Sequence, residues 1–299
     1  MSSCHQEASE TPRTKTSDKN LSLVRLASLK NVDSVSEPRE RIMLPTPSTS
    51  HVPYERVYEP AEDSFLFLDT LSSESEKTFL QDYFNQPREG STSKNSSTPL
   101  VVEIGTGSGV VLSFLHAHAK NILGRPDILT AGVDVNRFAC KATTETLRAA
   151  ELVQDIQGWS HGFYLGNILG DLTGFLKPSQ VDLLIFNPPY VPTPELPQLP
   201  HEEAKTATTY EDDSHLLSLS YAGGIDGMET TNRLLQSLPK ILSSSRGCAY
   251  ILLCAQNKPE KVREQIQSWG SGWAVETAGT IGKQGGWEKL QILRIWRTH

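Results

Sequence analysis

The chain has 299 residues, of which 37% are apolar and 21% charged, and its formal net charge is −7. This acidic balance does not favour nucleic acid as a partner, and no run of about 18 apolar residues is present that would predict a membrane span. The start, MSSCHQEASE, contains acids and no apolar stretch, so it is not typical of a secretory signal. The four cysteines form no CxxC pair and no zinc spacing, which favours a reduced intracellular setting.

The N-terminal region predicts a tail followed by one α/β domain. Residues 1–50 are rich in Ser, Thr and Pro with mixed charge, which is typical of disorder, and the domain is expected over residues 51–299. Within the tail, residues 21–29 (LSLVRLASL) are compatible with a transient amphipathic helix or with a mitochondrial presequence. Early acids in the tail argue against a presequence. Residues 85–99 predict a polar insertion between the first helix and the main sheet.

Residues 57–71 (VYEPAEDSFLFLDTL) predict a helix. Pro60 lies near its start, Glu62 and Asp63 suit a helix N-terminus, and apolar residues recur behind them. Two interpretations remain open. The segment is either a plain capped helix, which the spacing alone favours, or it closes residues 58–64 over a ligand at the edge of a sheet.

A short apolar strand followed by three glycines stands at residues 100–109 (LVVEIGTGSG) and leads into a helix. A glycine turn between a strand and a helix lets the backbone approach a ligand closely. The third glycine, Gly109, comes one residue earlier than in the GxGxxG pattern of dinucleotide folds. Glu103 would repel a pyrophosphate but can accept hydrogen bonds. These two details favour S-adenosylmethionine over NAD, with Glu103, Gly105 and Gly107 as cofactor-binding residues.

Two further strands are expected to contribute to the same ligand. Residues 129–136 (LTAGVDVN) include Asp134 at the strand tip, where its carboxylate can bind both ribose hydroxyls; the alternative is a cap for the following helix. Residues 162–171 (GFYLGNILGD) predict a third strand and a turn. Asn167 is placed to contact an adenine edge, with Asp171 as the less favoured alternative. An asparagine in a turn needs no ligand to explain it, so the pattern is of low specificity.

Residues 181–186 (VDLLIF) form an apolar run, as expected for a strand buried on both faces of a parallel sheet. The strand stops at Asn187, Pro188, Pro189 and Tyr190, because two prolines cannot continue a central strand. Polar groups are thereby left at the carboxyl tip of the strand. Open α/β sheets bind their ligands at such tips.

The NPPY residues can hold a planar NH2 group. The side-chain oxygen of Asn187 and the carbonyl of Pro188 offer two acceptors, and Tyr190 offers a flat apolar face. Holding both hydrogens directs the nitrogen lone pair at an electrophile and stabilises the charge that develops on nitrogen, without a metal. We therefore expect Asn187, Pro188, Pro189 and Tyr190 to be catalytic, with Asn187 also beside the cofactor. The alternatives are a polyproline ligand and a simple strand stop.

The rest of the chain completes the predicted fold. Residues 191–214 contain four prolines and predict a long, substrate-facing loop, although VPTPELPQLP is also compatible with a polyproline ligand. After a flexible YAGGIDG turn at 221–227, the pattern predicts a helix at 228–242, a buried strand at 247–255, a helix at 259–269 and two closing strands. We predict an α/β fold with a Rossmann-like, doubly wound, seven-stranded and mostly parallel sheet that has an antiparallel C-terminal strand.

Several stretches resemble the HemK-type glutamine methyltransferases, which are class I S-adenosylmethionine-dependent enzymes. The matching residues are VYEPAEDS (57–64), EIGTGSG (103–109), Asp134, NPPYV (187–191) and AGGIDG (222–227). The resemblance runs from about Tyr54 to the end of the chain and is to the short eukaryotic and archaeal branch. It implies that residues 51–299 form a class I methyltransferase domain. It also implies that Ser64, where Thr is common, contacts the methionine end of the cofactor.

The resemblance further implies N5-methylation of the glutamine in the Gly-Gly-Gln motif of the eukaryotic class-1 translation termination factor. The expected location is cytoplasmic, with the nucleus as an addition. A small zinc-binding activator subunit is expected to form a heterodimer with the chain by covering an apolar sheet edge near residues 129–133 or 162–165. Histone lysine and DNA adenine N6 are alternative acceptors, but adenine would require base extrusion and a basic groove. A non-enzymatic, Pro-rich adaptor is the alternative of a different class.

Overall fold

A seven-stranded sheet is the frame of the chain in the computed structural model, which describes residues 43–85, 97–199, 210–281 and 289–298. The strands are β1 (Leu100–Ile104), β2 (Leu129–Asp134), β3 (Phe163–Leu169), β4 (Leu183–Phe186), β5 (Cys248–Cys254), β6 (Trp273–Ile281) and β7 (Leu290–Arg297). They lie in the order β3-β2-β1-β4-β5-β7-β6. Strands β1 to β5 pair in parallel, whereas β7 is antiparallel to both β5 and β6. The predicted fold is confirmed.

Helices cover both faces of this sheet. The described α-helices are α1 (Glu62–Ser72), α2 (Glu74–Asn85), α3 (Val110–Ala117), α4 (Ala119–Leu123), α5 (Arg137–Gln157), α6 (Tyr210–Tyr221), α7 (Glu229–Ile241) and α8 (Pro259–Gln267). Helices α1 to α4 pack into the core on one face, and α7 and α8 pack into the core on the other. Among the described residues, no helix combines the length and the hydrophobicity needed to cross a bilayer.

The apolar run of β4 follows from this two-sided packing. Leu183 and Ile185 belong to the core under α1 to α4, whereas Leu184 and Phe186 belong to the core under α7 and α8. All four side chains are buried. Successive residues of a strand face opposite sides, so a strand covered on both sides is apolar at every position.

Two buried ionic clusters fasten helices and loops to the sheet. Asp182, just before β4, accepts hydrogen bonds at 2.8 and 3.0 Å from Arg246. Arg294 of β7 donates to both carboxylate oxygens of Glu76 in α2, at 2.7 and 2.8 Å. The hydroxyl of Tyr250 in β5 also donates to Glu76, at 2.6 Å. Each buried charge is thus paired and hydrogen-bonded, as burial in a medium of low polarity requires.

The connections between elements differ in part from the predictions. Helix α2 directly follows α1 and includes Asn85, which was assigned to the 85–99 insertion; most of that insertion, residues 86–96, lies outside the described residues. Residues 1–42 of the predicted tail also lie outside them. The prediction of an irregular loop up to residue 214 is wrong at its end, because α6 begins at Tyr210. Of the predicted loop, residues 191–199 are irregular, and residues 200–209 lie outside the described part of the chain.

Strand β3 forms one edge of the described sheet. Strand β2 is paired on both sides, with β1 and β3, so residues 129–133 are not an edge and that alternative for the activator surface is wrong. Apolar composition cannot distinguish an edge from its neighbour, because the order of strands depends on pairing across the whole chain. The side chains of Phe163 and Leu165 on β3 are 67% and 54% exposed.

Candidate active site

A cavity lies at the carboxyl ends of β1, β2 and β4. Its walls come from the glycine loop after β1, the tip of β2 and the tip of β4, which the parallel pairing brings together. Residues 56–58 and the first turn of α1 close one side, and Leu196, Leu199, Leu216 and Leu219 line its apolar mouth. This is the position at which open α/β sheets bind ligands.

The glycines of the loop have different tasks. Gly105, Gly107 and Gly109 all have positive φ angles, of 67°, 52° and 79°, which side chains rarely adopt. A Cβ on Gly109 would lie 2.5 Å from the Cα of Thr143 in α5, so this glycine permits close packing of a helix. A Cβ on Gly107 would meet no atom of the described residues within 4 Å. Gly107 therefore leaves open space where the loop lines the cavity.

Two buried carboxylates line the cavity beside this loop. The Oε2 atom of Glu103 accepts from the N–H of Leu112 at 2.9 Å, and burial raises the pKa of Glu103 well above its usual range. The two oxygens of Asp134 accept from the backbone N–H groups of Gly107 at 3.0 Å and Asn136 at 2.8 Å. Burial raises the pKa of Asp134 to about 6, against the opposing effect of these hydrogen bonds.

The side chain of Asn187 is oriented by a carboxylate 124 residues earlier in the chain. Its Nδ2 atom donates to Oδ2 of Asp63 at 3.1 Å, and the other oxygen of Asp63 accepts from the N–H of Ser64 at 2.6 Å. An ionised carboxylate only accepts hydrogen bonds, so the NH2 end of the amide must face Asp63. The Oδ1 atom of Asn187 is buried and has no hydrogen-bond partner among the described residues. The site thus presents one fixed acceptor that lacks a donor.

Residues 222–227 (AGGIDG) pack closely against the backbone of residues 187–190 (NPPY). A Cβ on Gly223 would lie 2.3 Å from the carbonyl oxygen of Pro189, and a Cβ on Gly227 would lie 2.0 Å from that of Tyr190. Only glycine allows such a close approach of two backbones. The Nδ2 atom of Asn257 donates to the carbonyl oxygen of Tyr190 at 3.0 Å and to that of Asp226 at 2.9 Å, which joins the two segments.

The structure brings most of the predicted site residues together. The cavity is lined by Ser64, Glu103, Gly105, Gly107, Asp134, Asn187 and Pro189. Pro188 is buried, and Tyr190 packs against the core under α1 to α4; neither is among the lining residues. The contact of residues 58–64 with the cavity corresponds to the second interpretation of that segment, since Tyr58, Asp63 and Ser64 are lining residues.

The structure does not place Asn167 among the residues that line the cavity, and its contact with an adenine edge stays a prediction. Its Nδ2 atom donates to the carbonyl oxygen of Cys140 at 2.6 Å and to Oγ1 of Thr144 at 3.3 Å, so its side chain faces α5 and does not line the cavity. Asp171, the less favoured alternative, does line the cavity and forms an ion pair with Arg233.

Sequence reasoning missed three residues of the site. Asp63 was read only as a helix N-terminal charge, and Asn257 was not singled out. Arg56 forms an ion pair with Asp213 of α6 at 2.8 Å and thereby joins the segment before α1 to the helix over the cavity mouth. The sequence signal that could have indicated Arg56 and Asp63 is the high density of polar residues in 55–64. Their hydrogen-bond partners lie too far away in the sequence to be recognised from residue spacing.

These features fit S-adenosylmethionine. A ribose presents two hydroxyl donors that match the carboxylate of Asp134. The glycine turn, with its positive φ angles, lets the backbone come close to a bound cofactor. S-adenosylmethionine has no phosphate, so Glu103 at the cavity wall does not repel it. Together, the sheet order, the glycine loop and the NPPY tip define the class I S-adenosylmethionine-dependent methyltransferases.

Comparison with known proteins identifies the branch. No protein-family model matches the chain. It is 36% identical to the eRF1 methyltransferase catalytic subunit mtq2 of Schizosaccharomyces pombe, over 85% of this chain and 96% of that protein. It is 30% identical to human methyltransferase HEMK2, over 85% and 97%, and 26% identical to a putative protein N5-glutamine methyltransferase of Methanocaldococcus jannaschii, over 81% and 92%. The chain belongs to the methyltransferase family that includes mtq2 and HEMK2.

Proposed function

We propose that the chain transfers a methyl group to the N5 atom of the glutamine in the Gly-Gly-Gln motif of the eukaryotic class-1 translation termination factor. Two observations from relatives support this substrate: the name of the fission-yeast protein refers to eRF1, and that of the archaeal protein refers to N5 of glutamine. The site observation that carries the proposal is the buried, unpartnered Oδ1 of Asn187. A primary amide supplies the N–H donor that this oxygen lacks.

The residues of the site then act by holding the acceptor. When bound, S-adenosylmethionine supplies an electrophilic methyl group on a sulfonium. The Oδ1 atom of Asn187 would accept one N–H group of the glutamine amide and orient its nitrogen lone pair toward the cofactor. The carbonyl of Pro188, the second acceptor that the NPPY pattern predicts, belongs to a buried residue that does not line the cavity, so Asn187 carries this orientation. During transfer of the methyl group from sulfur to nitrogen, the Oδ1 atom of Asn187 would stabilise the positive charge that develops on the nitrogen. The extra proton leaves to solvent.

The mouth of the cavity suits a protein loop. Its described lining includes the apolar side chains of Leu196, Leu199, Leu216 and Leu219. Helix α6 is tied to the opposite wall by the ion pair between Arg56 and Asp213. The apolar lining offers contact area to an uncharged protein loop.

We also propose that a small zinc-binding activator covers the β3 edge. Exposed apolar side chains recur at the end of α5, in the turn after it and on β3, and they are Leu152, Val153, Ile156, Trp159, Phe163, Leu165, Ile168 and Leu169. Exposed apolar groups collected on a sheet edge indicate an interaction surface, because an unpaired edge also offers backbone hydrogen bonds to a partner strand.

The substrate proposal is tested by methyl transfer from labelled S-adenosylmethionine to a purified termination factor, with the activator co-expressed. We expect label on the native factor and none on a factor whose Gly-Gly-Gln glutamine is replaced by alanine. Label that persists on the replaced factor would contradict the assignment of the atom. Label on histone or on DNA, with the termination factor unlabelled, would move the function to lysine or adenine.

The activator surface is tested by co-purification. Leu165→Lys should abolish co-purification of the activator, because a charge in an apolar contact is left without a partner. Ile281→Lys, at the end of strand β6 on the other edge of the described sheet, is the matched control and should retain the complex. Equal loss with both variants would indicate a general effect on folding and not a docking surface.

A further inference from the structure

A cluster of metal-binding side chains lies away from the methyl-transfer cavity. His116 at the end of α3, Glu151 in α5 and His161 just before β3 place their ligand atoms within 4.8 Å of one another. His116 Nε2 is 3.2 Å from Glu151 Oε1, and His161 Nδ1 is 4.0 Å from that same oxygen. Three residues from three separate elements thus converge on one point.

The buried histidine has an atom that the fold does not use. His116 is completely buried, and its Nδ1 atom is hydrogen-bonded to Oγ1 of Thr130 at 2.8 Å. Its Nε2 atom has no hydrogen-bond partner among the described residues, although Glu151 Oε1 is close. When the ring proton is on Nδ1 and shared with Thr130, a nitrogen lone pair faces a carboxylate oxygen. Two electron-rich atoms in contact are repulsive, and a cation between them makes the contact favourable.

The neutral form of His116 is the form that binds metals. A metal ligand must offer a lone pair, and the buried Nε2 atom of His116 does so when the ring proton is on Nδ1, shared with Thr130.

Both histidines also have the outer partners that metal-binding histidines need. Ligating imidazoles are oriented by a hydrogen bond from the second ring nitrogen to a carboxylate or another acceptor. Thr130 provides this contact for His116, and Oδ1 of Asp155, at 3.3 Å from Nε2, provides it for His161. The ligand atom of His161, Nδ1, lies 2.8 Å from the carbonyl oxygen of Gly162. A metal ion bound to Nδ1 would replace that contact.

We propose that His116 Nε2, Glu151 Oε1 and His161 Nδ1 form a binding site for a divalent zinc-like ion. Zinc takes two histidines and one carboxylate at about 2.0–2.2 Å, which separates tetrahedral ligand atoms by about 3.3 Å. The 3.2 Å between His116 Nε2 and Glu151 Oε1 is close to this separation, whereas His161 Nδ1, at 4.0 Å from Glu151 Oε1, has to move closer on binding. The fourth position is left to water. The ion would fasten α3, α5 and the start of β3 together beside the exposed apolar edge.

The site is tested on the full catalytic chain, purified alone and freed of metal with a chelator. Zn2+ added in calorimetry should bind with one equivalent at the site, and Co2+ should give the visible absorption of tetrahedral coordination by nitrogen and oxygen without a thiolate charge-transfer band. At a Zn2+ concentration about a hundredfold above its Kd, the Tm should rise by about 5–10 °C. Absence of both binding and cobalt absorption would overturn the proposal.

Substitutions localise the ion. His161→Ala and Glu151→Gln change partly exposed residues, so they are expected to fold, and each should lower Zn2+ affinity at least tenfold. Glu145→Gln removes an exposed carboxylate from the same helix and His215→Ala removes an exposed histidine elsewhere; both should bind as the unaltered chain does. Circular dichroism checks folding of each variant. Binding that is unchanged in His161→Ala, or a cobalt spectrum with a thiolate band, would place the ion elsewhere and refute the assignment.

Discussion

Replacing Asp63 by asparagine should reverse the polarity of the acceptor site. Asp63 accepts hydrogen bonds on both oxygens, from Ser64 N–H at 2.6 Å and from Asn187 Nδ2 at 3.1 Å. An asparagine at 63 retains one acceptor, which the short bond to the Ser64 backbone will keep. Its NH2 group then faces Asn187. Because two NH2 groups repel each other, the Asn187 amide turns over, and a donor takes the place of the acceptor that the substrate needs.

The expected loss follows from the bond that disappears. A hydrogen bond to a charged group contributes about 1.5–3 kcal/mol, and the charge here is the one that develops on the reacting nitrogen. At about 1.4 kcal/mol per factor of ten, kcat should fall roughly 10- to 150-fold in Asp63→Asn. Binding of S-adenosylmethionine should change much less, because Asp134 and the glycine loop are untouched. Asp63 is thus a positioning residue that acts through Asn187.

The assay is single-turnover methyl transfer, with cofactor affinity measured separately by calorimetry. Asp69→Asn on the exposed side of the same helix is the matched control and should retain full activity. The reciprocal double variant, Asp63→Asn with Asn187→Asp, provides the decisive comparison. Its new asparagine can donate to the new aspartate, whose second oxygen again presents an acceptor. We expect the double variant to be faster than either single variant.

Two results would refute this reasoning. If Asp63→Asn lost cofactor binding in proportion to activity, the carboxylate would be part of the cofactor site and not a positioning group for Asn187. If the double variant were no better than the slower single variant, the orientation of the Asn187 amide would not be what Asp63 controls.

Further predictions concern cofactor affinity and stability. Burial raises the pKa of Asp134 to about 6, and the carboxylate must be ionised to accept both ribose hydroxyls. Cofactor affinity measured by calorimetry should therefore be constant above pH 6 and fall about tenfold per pH unit below it. Asp134→Asn should bind the cofactor weakly and without this pH dependence. Arg294→Met leaves the buried charge of Glu76 unpaired and should lower the free energy of unfolding by about 3–5 kcal/mol in urea titrations. Gly109→Ala meets Thr143 and should cost about 1–3 kcal/mol more than Gly158→Ala, where φ is also positive but no described atom is near.

The elements that could be predicted from sequence are those fixed by local patterns. The run 181–186 is apolar at every position because both of its faces are covered, and the glycine loop is needed wherever a strand turns sharply into a helix over a ligand. The proline pair ends β4 whatever surrounds it. These signals depend on neighbours in the chain, so the position of the cavity was predictable, and most of the predicted site residues line it.

The features that the sequence did not predict are those that tertiary contacts determine. The side chain of Asn167 could be placed on a strand tip by sequence, but the register shift between β2 and β3 and the packing of α5 decide which way it faces. Asp63 could be recognised as a helix N-terminal acid, yet its partner Asn187 is 124 residues away. Helix α2 buries Leu80 and Phe84 in the core, and it also buries Glu76, whose partner Arg294 lies 218 residues later in the chain.

The choice between glutamine and adenine does not lie in the NPPY residues, because both acceptors present a planar NH2 to the same oxygens. The residues around the cavity mouth determine which of the two acceptors is favoured. The cations that line the described cavity, Arg56 and Arg233, are each paired with a carboxylate, of Asp213 and Asp171 respectively. A DNA phosphate would have to compete with those carboxylates on a chain whose formal net charge is −7, and both effects oppose the electrostatic attraction on which DNA binding depends. An uncharged protein loop needs no such exchange, and the leucines at the mouth favour it.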